Sequence, residues 1–152
     1  MEGDRQILTV TVVTPEAAVI DRVTCESVTL PTERGEIGIL PGHTPLLTLL
    51  GIGLVTCLDG NRTVRVAVRD GFAEIAGDQV RILENQAATP ETVDAAAVTL
   101  ERTAGEARRM EVVGQEQLDA VNADVAYAEA RLALVSVSVS ASVSASAGAT
   151  KH

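Results

Sequence analysis

The stretch that most constrains the fold of this chain is GEIGILPGHTPLL, residues 35–47. Its glycines give the backbone conformational freedom, and each proline fixes its own φ angle and restricts the residue before it. Small aliphatic side chains lie between these residues. The stretch therefore predicts a short strand, a tight turn over Pro41-Gly42, and a second apolar strand.

Short strand patterns lie on both sides of this stretch. Asp59-Gly60-Asn61 separates two β-branched runs and predicts a hairpin, because Asp-Gly tolerates the positive φ of the favoured turns. Ala76-Gly77-Asp78 predicts a second tight turn. Short strands without intervening helices indicate an antiparallel sandwich or barrel. The predicted strands are Ile7–Val13, Val19–Leu30, Leu54–Leu58, Thr63–Val68, Phe72–Ile75 and Gln79–Leu83.

The pattern becomes helical at Thr89-Pro90, where Thr89 can cap a helix and Pro90 fits its first turn. Spacings of three and four then predict one apolar face on each of two helices, which Gly114 separates. Two such helices are expected to form an antiparallel hairpin. The faces consist of Val93, Ala97, Leu100, Ala104 and Ala107, and of Val121, Val125, Ala128, Leu132 and Val135.

A low-complexity run of serine, valine and alanine follows the helices. Its period of two matches a strand, yet its small uncharged residues favour a disordered or loosely extended tail. An edge strand that docks on a partner is the alternative. The predicted organisation is a β-sandwich over 1–87, a helical hairpin over 89–135, and a tail over 136–152, which makes the fold class α+β.

Composition excludes several functions. The formal net charge of −9 argues against a nucleic-acid partner, because phosphate binding needs a basic face. Neither Cys25 nor Cys57 has a second ligand at a regular short spacing, so no metal site is expected, and buried free thiols are favoured over a disulfide. No signal peptide or bilayer-spanning run is expected. His43 lacks a nucleophile motif such as Gly-x-Ser-x-Gly, so no catalytic residue is predicted.

The order of these motifs resembles the epsilon subunit of bacterial F-type ATP synthases, which corresponds to the mitochondrial delta subunit. The match rests on residues 35–47 together with VVTP at 12–15, GIGLV at 51–55 and GFAEI at 71–75. The resemblance implies a non-catalytic subunit of the central stalk, which couples proton flow through the c-ring to ATP synthesis. Its implied partners are the gamma subunit, the c-ring and the alpha/beta catalytic head. It implies a peripheral position on the cytoplasmic face of the bacterial inner membrane, with membrane association only through the complex.

The resemblance also assigns a candidate interface with the gamma subunit or the c-ring. Glu36 matches the acidic position at the c-ring contact, and His43 matches the histidine near the gamma subunit. A charged cluster of this kind is otherwise solvated surface, and His43 could simply shape the turn. The candidate interface residues are Glu33, Arg34, Glu36, Pro41, Gly42 and His43.

The helical hairpin resembles the regulatory arm of the family, which in many members inhibits ATP hydrolysis. Some members bind ATP through a motif written Ile/Leu-Asp-x-x-Arg-Ala. Asp94 keeps the acidic position, but Ala97 replaces the arginine, so no nucleotide cofactor is expected. Few basic residues remain for an inhibitory contact with the head, which predicts a weakened regulatory function. The candidate arm residues are Asp94, Arg102, Arg108, Arg109 and Arg131.

Two alternatives stay open at this stage. The first is a β-sandwich module that binds a peptide or glycan, although such sites usually use aromatic platforms and this chain has only Phe72 and Tyr127. The second is a hydrolase, for which no nucleophile and base pair is evident.

Overall fold

The computed structural model describes the backbone of residues 6–149 and the side chains of residues 6–136. The chain divides into two compact units between Ala88 and Thr89. The first unit is β-structure and the second is helical, as the sequence predicts.

Eight strands form the first unit, and their order along the chain follows the predicted turns. The predicted strand over 19–30 is two strands that Glu26 separates. The strands are β1 (Leu8–Val13), β2 (Ala18–Cys25), β3 (Ser27–Thr32), β4 (Gly35–Ile39), β5 (Leu46–Leu50), β6 (Gly53–Asp59), β7 (Arg62–Ala76) and β8 (Gln79–Ala88).

The long strand β7 connects the two parts of the sheet. The strand order is β2-β1-β8-β7-β6-β3-β4, and β5 pairs with β7 outside this path. The first half of β7 pairs with β6 as far as Val68, and the second half pairs with β5 from Gly71 onward. The change of partner falls at Asp70, which has a positive φ of 58°. One strand therefore carries pairings in both parts of the sandwich.

One strand pairing departs from the antiparallel prediction. β1 lies parallel to β8, with Val13 opposite Leu83. Parallel neighbours are distant in sequence, and no turn motif marks them. The remaining pairings, including both predicted hairpins, are antiparallel.

The core of the sandwich is aliphatic, as the near absence of aromatic residues predicts. Strand residues alternate between the core and the outer face, as the period of two requires. On β8, Val80 and Ile82 are buried while Arg81 and Leu83 are exposed. The core also contains Leu8, Val10, Val12, Leu30, Ile39, Val55, Val66, Val68 and Ile75.

The second unit begins with a 3-10 turn over Pro90–Thr92, followed by the helices α1 (Ala95–Arg109) and α2 (Gln115–Ala149). The cap of the first α-helix is therefore Asp94 and not Thr89 as predicted. The side chain of Asp94 accepts hydrogen bonds from the N–H groups of Ala96 and Ala97. Thr89 instead closes the 3-10 turn, where its N–H donates to the hydroxyl of Thr92.

The predicted apolar face of α1 is wrong. Leu100 is 71% exposed, and the buried residues of α1 are Val98 and Gly105. Gly105 allows close approach of α2, because a Cβ at this position would lie 2.8 Å from Val125 Cγ2. The missing side chain, rather than an apolar one, therefore sets the contact. On α2 the predicted face is correct for Val121, Val125 and Ala128, which are buried.

The backbone of α2 is helical past Val135 and through the run that the sequence analysis assigns to a disordered tail. Residues 150–152 lie outside the described part of the chain.

Candidate functional site

The structure places half of the predicted interface residues at the turn between β3 and β4. Glu33 and Arg34 form the two-residue connection, and Glu36 follows on β4 opposite Pro31. The charged side chains of these three residues are exposed. The hydroxyl of Thr32 donates to the backbone oxygen of Gly35 and closes the turn at 2.6 Å.

Pro41, Gly42 and His43 lie at the opposite end of β4. Gly42 has a φ of 84°, and its N–H donates to the carboxylate of Asp78 in the β7–β8 turn at 2.7 Å. The Nδ1 atom of His43 lies 2.6 Å from the backbone oxygen of Thr44. These contacts indicate that Gly42 and His43 help to shape the turn between β4 and β5. Contact of His43 with a partner stays a prediction.

The two groups of predicted residues are therefore separate. β4 has five residues. At a rise of about 3.3 Å per residue, it keeps the groups roughly 16 Å apart. A single small contact cannot include both groups.

A row of apolar side chains, which is absent from the predicted interface, lies on the outer face of the sheet. Leu49 on β5 lies opposite Phe72 on β7, Phe72 lies opposite Leu83 on β8, and Leu83 lies opposite Val13 on β1. All four are exposed, and Leu49 is 69% exposed. Leu47 is 68% exposed on the same face of β5. We call Val13, Leu49, Phe72 and Leu83 the apolar row.

A cleft of about 630 Å³ adjoins the apolar row, and all four residues of the row line it. The other lining residues come from the end of β1, the β3–β4 turn, the end of β5, the region where β7 changes partner, and β8. Three of them are acidic, so we call it the acidic cleft. The lining residues outside the apolar row are Thr14, Pro15, Glu33, Leu50, Asp70, Gly71, Glu84 and Asn85.

Glu84 lies at the inner wall of the acidic cleft. Its parity on β8 continues that of Val80 and Ile82, so its side chain faces inward and only 3% of its surface is exposed. Neither carboxylate oxygen has a hydrogen-bond partner among the described residues. Burial, together with the nearby Asp70, raises the pKa of Glu84 to about 8. A buried unpartnered carboxyl group is costly when charged, so Glu84 is mostly protonated at neutral pH.

The space for Glu84 depends on Gly71, its cross-strand neighbour. A Cβ added to Gly71 would overlap the carboxyl group of Glu84 and the backbone oxygen of Leu83. Any other residue at position 71 would therefore displace the floor of the cleft.

Within the helical unit, two of the predicted arm residues are bound between the helices. Arg131 lies 2.6 Å from Glu101 and 4.5 Å from the ring centre of Tyr127, and its side chain is 17% exposed. Arg108 lies 3.3 Å from Asp124. Both pairs join α1 to α2, and the first is partly shielded from solvent, which strengthens it relative to surface pairs.

The other two basic residues of the predicted arm, Arg102 and Arg109, also lie on α1. Arg102 contacts Glu106 on its own helix at 3.9 Å, and Arg109 is exposed in the last turn of α1. Basic residues at this end complement the helix dipole.

Asp94 has a structural function that its place in the nucleotide motif does not require. Replacing it with alanine leaves the first-turn N–H groups of α1 without this acceptor. We expect D94A to lower the free energy of unfolding of the helical unit by about 1 kcal/mol. Amide hydrogen exchange in residues 95–98 would measure the loss. E129A, which removes an exposed carboxylate from α2, is the control and should leave these amides unchanged; equal exchange in both variants would contradict the assignment of the cap.

The cysteines are buried free thiols, as expected. Burial raises the pKa of the Cys57 thiol to about 12. The thiolate is the reactive form, so neither nucleophilic nor redox chemistry is favoured there.

Among the described residues, no group of three His, Cys, Asp or Glu side chains is arranged to hold a metal ion. Within the same part of the chain, neither helix combines the length and the apolar character that a bilayer crossing needs.

Comparison with known proteins agrees with the architecture. The model of the β-sandwich domain of ATP synthase delta/epsilon chains matches residues 7–90. The ATP synthase epsilon chain of Solibacter usitatus is 40% identical over 124 residues, which cover 80% of this chain and 90% of that protein. The epsilon chain of Microcystis aeruginosa is 35% identical over 125 residues, which cover 82% of this chain and 90% of that one.

A solved structure with the same fold extends over both units. A chain in the cryo-EM structure of the Euglena gracilis mitochondrial ATP synthase matches with a TM-score of 0.71 at 17% identity, and the match covers 91% of this chain and 87% of that one. At this identity the match establishes the fold only.

The fold and the matched residues define a small β-sandwich subunit with a helical appendage, of the class found in the central stalk of F-type ATP synthases. The chain belongs to the family of ATP synthase delta/epsilon chains. It is accordingly a non-catalytic subunit.

Proposed function

We propose that this chain is a joint of the rotor, which binds the foot of the gamma subunit and the c-ring. Rotation of the ring, driven by proton flow, then reaches the catalytic head through this joint. The apolar row is the observation that carries the proposal, because four strands present exposed apolar side chains in one line. Such a row on the rigid face of a sheet fits a stable protein interface.

The β3–β4 turn lies where the two partners meet in this arrangement. The apolar row and the acidic cleft would receive the gamma subunit. Glu33 lines this cleft, while Arg34 and Glu36 extend the same turn outward and would contact the polar loops of the c-ring. We place the chain on the cytoplasmic face of the bacterial inner membrane, held there by the complex.

The helical hairpin is proposed to inhibit ATP hydrolysis only weakly. Arg108 and Arg131 are engaged by Asp124 and Glu101, so an arm that separates its helices to reach the alpha/beta head would first break both pairs. We propose no ATP binding, because Ala97 offers no cation to a phosphate and Asp94 caps the helix. Peptide or glycan binding is not favoured, since the apolar row contains one aromatic ring and three aliphatic side chains in a line rather than an aromatic platform.

The docking face can be tested on the full chain with the variant L47Q/L49Q. Both leucines are largely exposed, so folding should hardly change, whereas the apolar contact with the gamma subunit is lost. We expect binding to the purified gamma subunit to weaken by roughly thirtyfold, which corresponds to about 2 kcal/mol for two buried leucines. Calorimetry or surface plasmon resonance would measure it.

L58Q is the matched control, because Leu58 is an exposed leucine on β6, which lies outside the apolar row. It should bind the gamma subunit like the unmodified chain. If L47Q/L49Q also binds normally, the gamma subunit does not use this face.

A further inference from the structure

The acidic cleft contains a buried acid that the fold does not use. The carboxyl group of Glu84 makes no hydrogen bond within the described part of the chain, and Glu84 lines the cleft. Removing a charged carboxyl group from water without a partner is unfavourable. Glu84 therefore destabilises the isolated domain. A ligand that supplies hydrogen-bond donors to its carboxyl group would offset this destabilisation.

The surroundings of Glu84 specify the charge of that ligand. Asp70 and Glu33 line the same cleft, so three carboxyl groups face one space. Arg69, which precedes Asp70 in the sequence, forms an ion pair with Asp70 at 3.3 Å. Because no group of three metal-ligating side chains is present among the described residues, a metal ion fits poorly. A cation that brings its own hydrogen-bond donors fits better.

The residues that line the cleft also indicate the shape of the ligand. Leu49, Phe72 and Leu83 are apolar lining residues, and Glu84 is the buried acid among the residues that line the same cleft. A long side chain with an aliphatic stem and a charged end matches such a lining. Both oxygens of Glu84 are unpartnered, and a guanidinium group donates two parallel N–H bonds to a carboxylate.

We propose that the acidic cleft is a socket for one arginine side chain of the partner protein that docks on the apolar row. The stem of the arginine packs along Phe72 and Leu83, and its guanidinium donates to Glu84, with Asp70 and Glu33 at the rim. This inference rests on the proposed function, in which that partner is the gamma subunit. It adds the chemistry by which the partner is recognised.

Docking of the arginine is linked to release of a proton. The carboxyl group of Glu84 holds a proton in the free chain, because its pKa is raised to about 8, and the incoming cation favours the carboxylate. Below pH 8 the proton of Glu84 therefore leaves to solvent as the ion pair forms. Asp70 and Glu33 are the other charged residues that line the cleft, and Arg69 is paired with Asp70.

The test measures binding of the gamma subunit to the full chain and to E84Q at pH 7. E84Q keeps the size of the side chain and removes its ionisation, and we expect affinity to fall by at least about tenfold. Calorimetry in two buffers of different ionisation enthalpy should show release of about one proton with the unmodified chain and none with E84Q. E129Q, which removes an exposed carboxylate from α2, should bind normally.

The arginine itself can be identified by replacing the arginines of the gamma subunit singly with lysine and with alanine. The correct one should weaken binding to the unmodified chain but have little further effect on E84Q. If E84Q binds normally while L47Q/L49Q binds weakly, the socket is wrong and the docking face stands. If both variants bind normally, the docking face is wrong as well.

Discussion

Replacing Gly71 with alanine is expected to destabilise the β-sandwich by about 3 kcal/mol or more. The added Cβ would overlap the backbone oxygen of Leu83, which cannot move without displacing β8. β7 changes its partner from β6 to β5 beside this residue, so the distortion would affect both parts of the sheet. Urea unfolding of the full chain, followed at amides of the β-sandwich by hydrogen exchange, would measure the loss.

G38A is the matched control for this prediction. Gly38 also lies within a strand, β4, but a Cβ at this position meets nothing within 4 Å. Its stability should stay within about 0.5 kcal/mol of the unmodified chain. The double variant G71A/E84A removes the overlap with the carboxyl group but not that with Leu83, so it should recover only part of the loss. Equal stability of G71A and G38A would show that β8 accommodates the side chain.

Short-range sequence signals predict well where the strands of this chain lie. They predict less well which strands pair with one another. Asp59-Gly60-Asn61 and Ala76-Gly77-Asp78 locate two hairpins, because turn chemistry is a property of a few consecutive residues. The parallel pairing of β1 with β8 joins residues about seventy positions apart, and nothing local encodes it. The apolar row depends on this pairing, since Val13 joins the row only through Leu83.

The candidate site nevertheless left two signals in the sequence. Leu46–Leu50 is apolar at nearly every position, so both faces of that strand are apolar and the outer one needs a partner. Glu84 continues the buried parity of Val80 and Ile82, which places a carboxyl group where an aliphatic side chain is expected. On α1 the apolar pattern misled, because the contact with α2 uses the absent side chain of Gly105.

The stability of the β-sandwich is expected to fall as the pH rises from about 4.5 to about 8, through the ionisation of Glu84. The pKa of Glu84 is raised from 4.5 to about 8 in the folded chain. Between these values the folded state keeps a proton that the unfolded state has lost. The free energy of unfolding therefore falls with pH, by up to about 1.4 kcal/mol per pH unit, and this contribution levels off above pH 8.

The direction is opposite to that of a carboxylate held by a salt bridge, whose stabilising contribution is lost as the pH falls. Other acidic residues also titrate in the unfolded chain, so the informative quantity is the difference between the unmodified chain and E84Q. E84Q cannot ionise at this position. The free energy of unfolding of E84Q minus that of the unmodified chain should therefore increase steadily from pH 5.5 to 7.5. This difference should become constant above pH 8.5.

Urea unfolding at unit steps from pH 5.5 to 9.5 would measure this difference, with the β-sandwich amides as the probe. E74Q is the control, because Glu74 is exposed on the outer face of β7, two residues from Phe72. It should follow the pH dependence of the unmodified chain. Parallel curves for the unmodified chain and E84Q would mean that the carboxyl group is solvated in the folded state. The acidic cleft would then lack its buried acid, and the arginine socket would lose its main support.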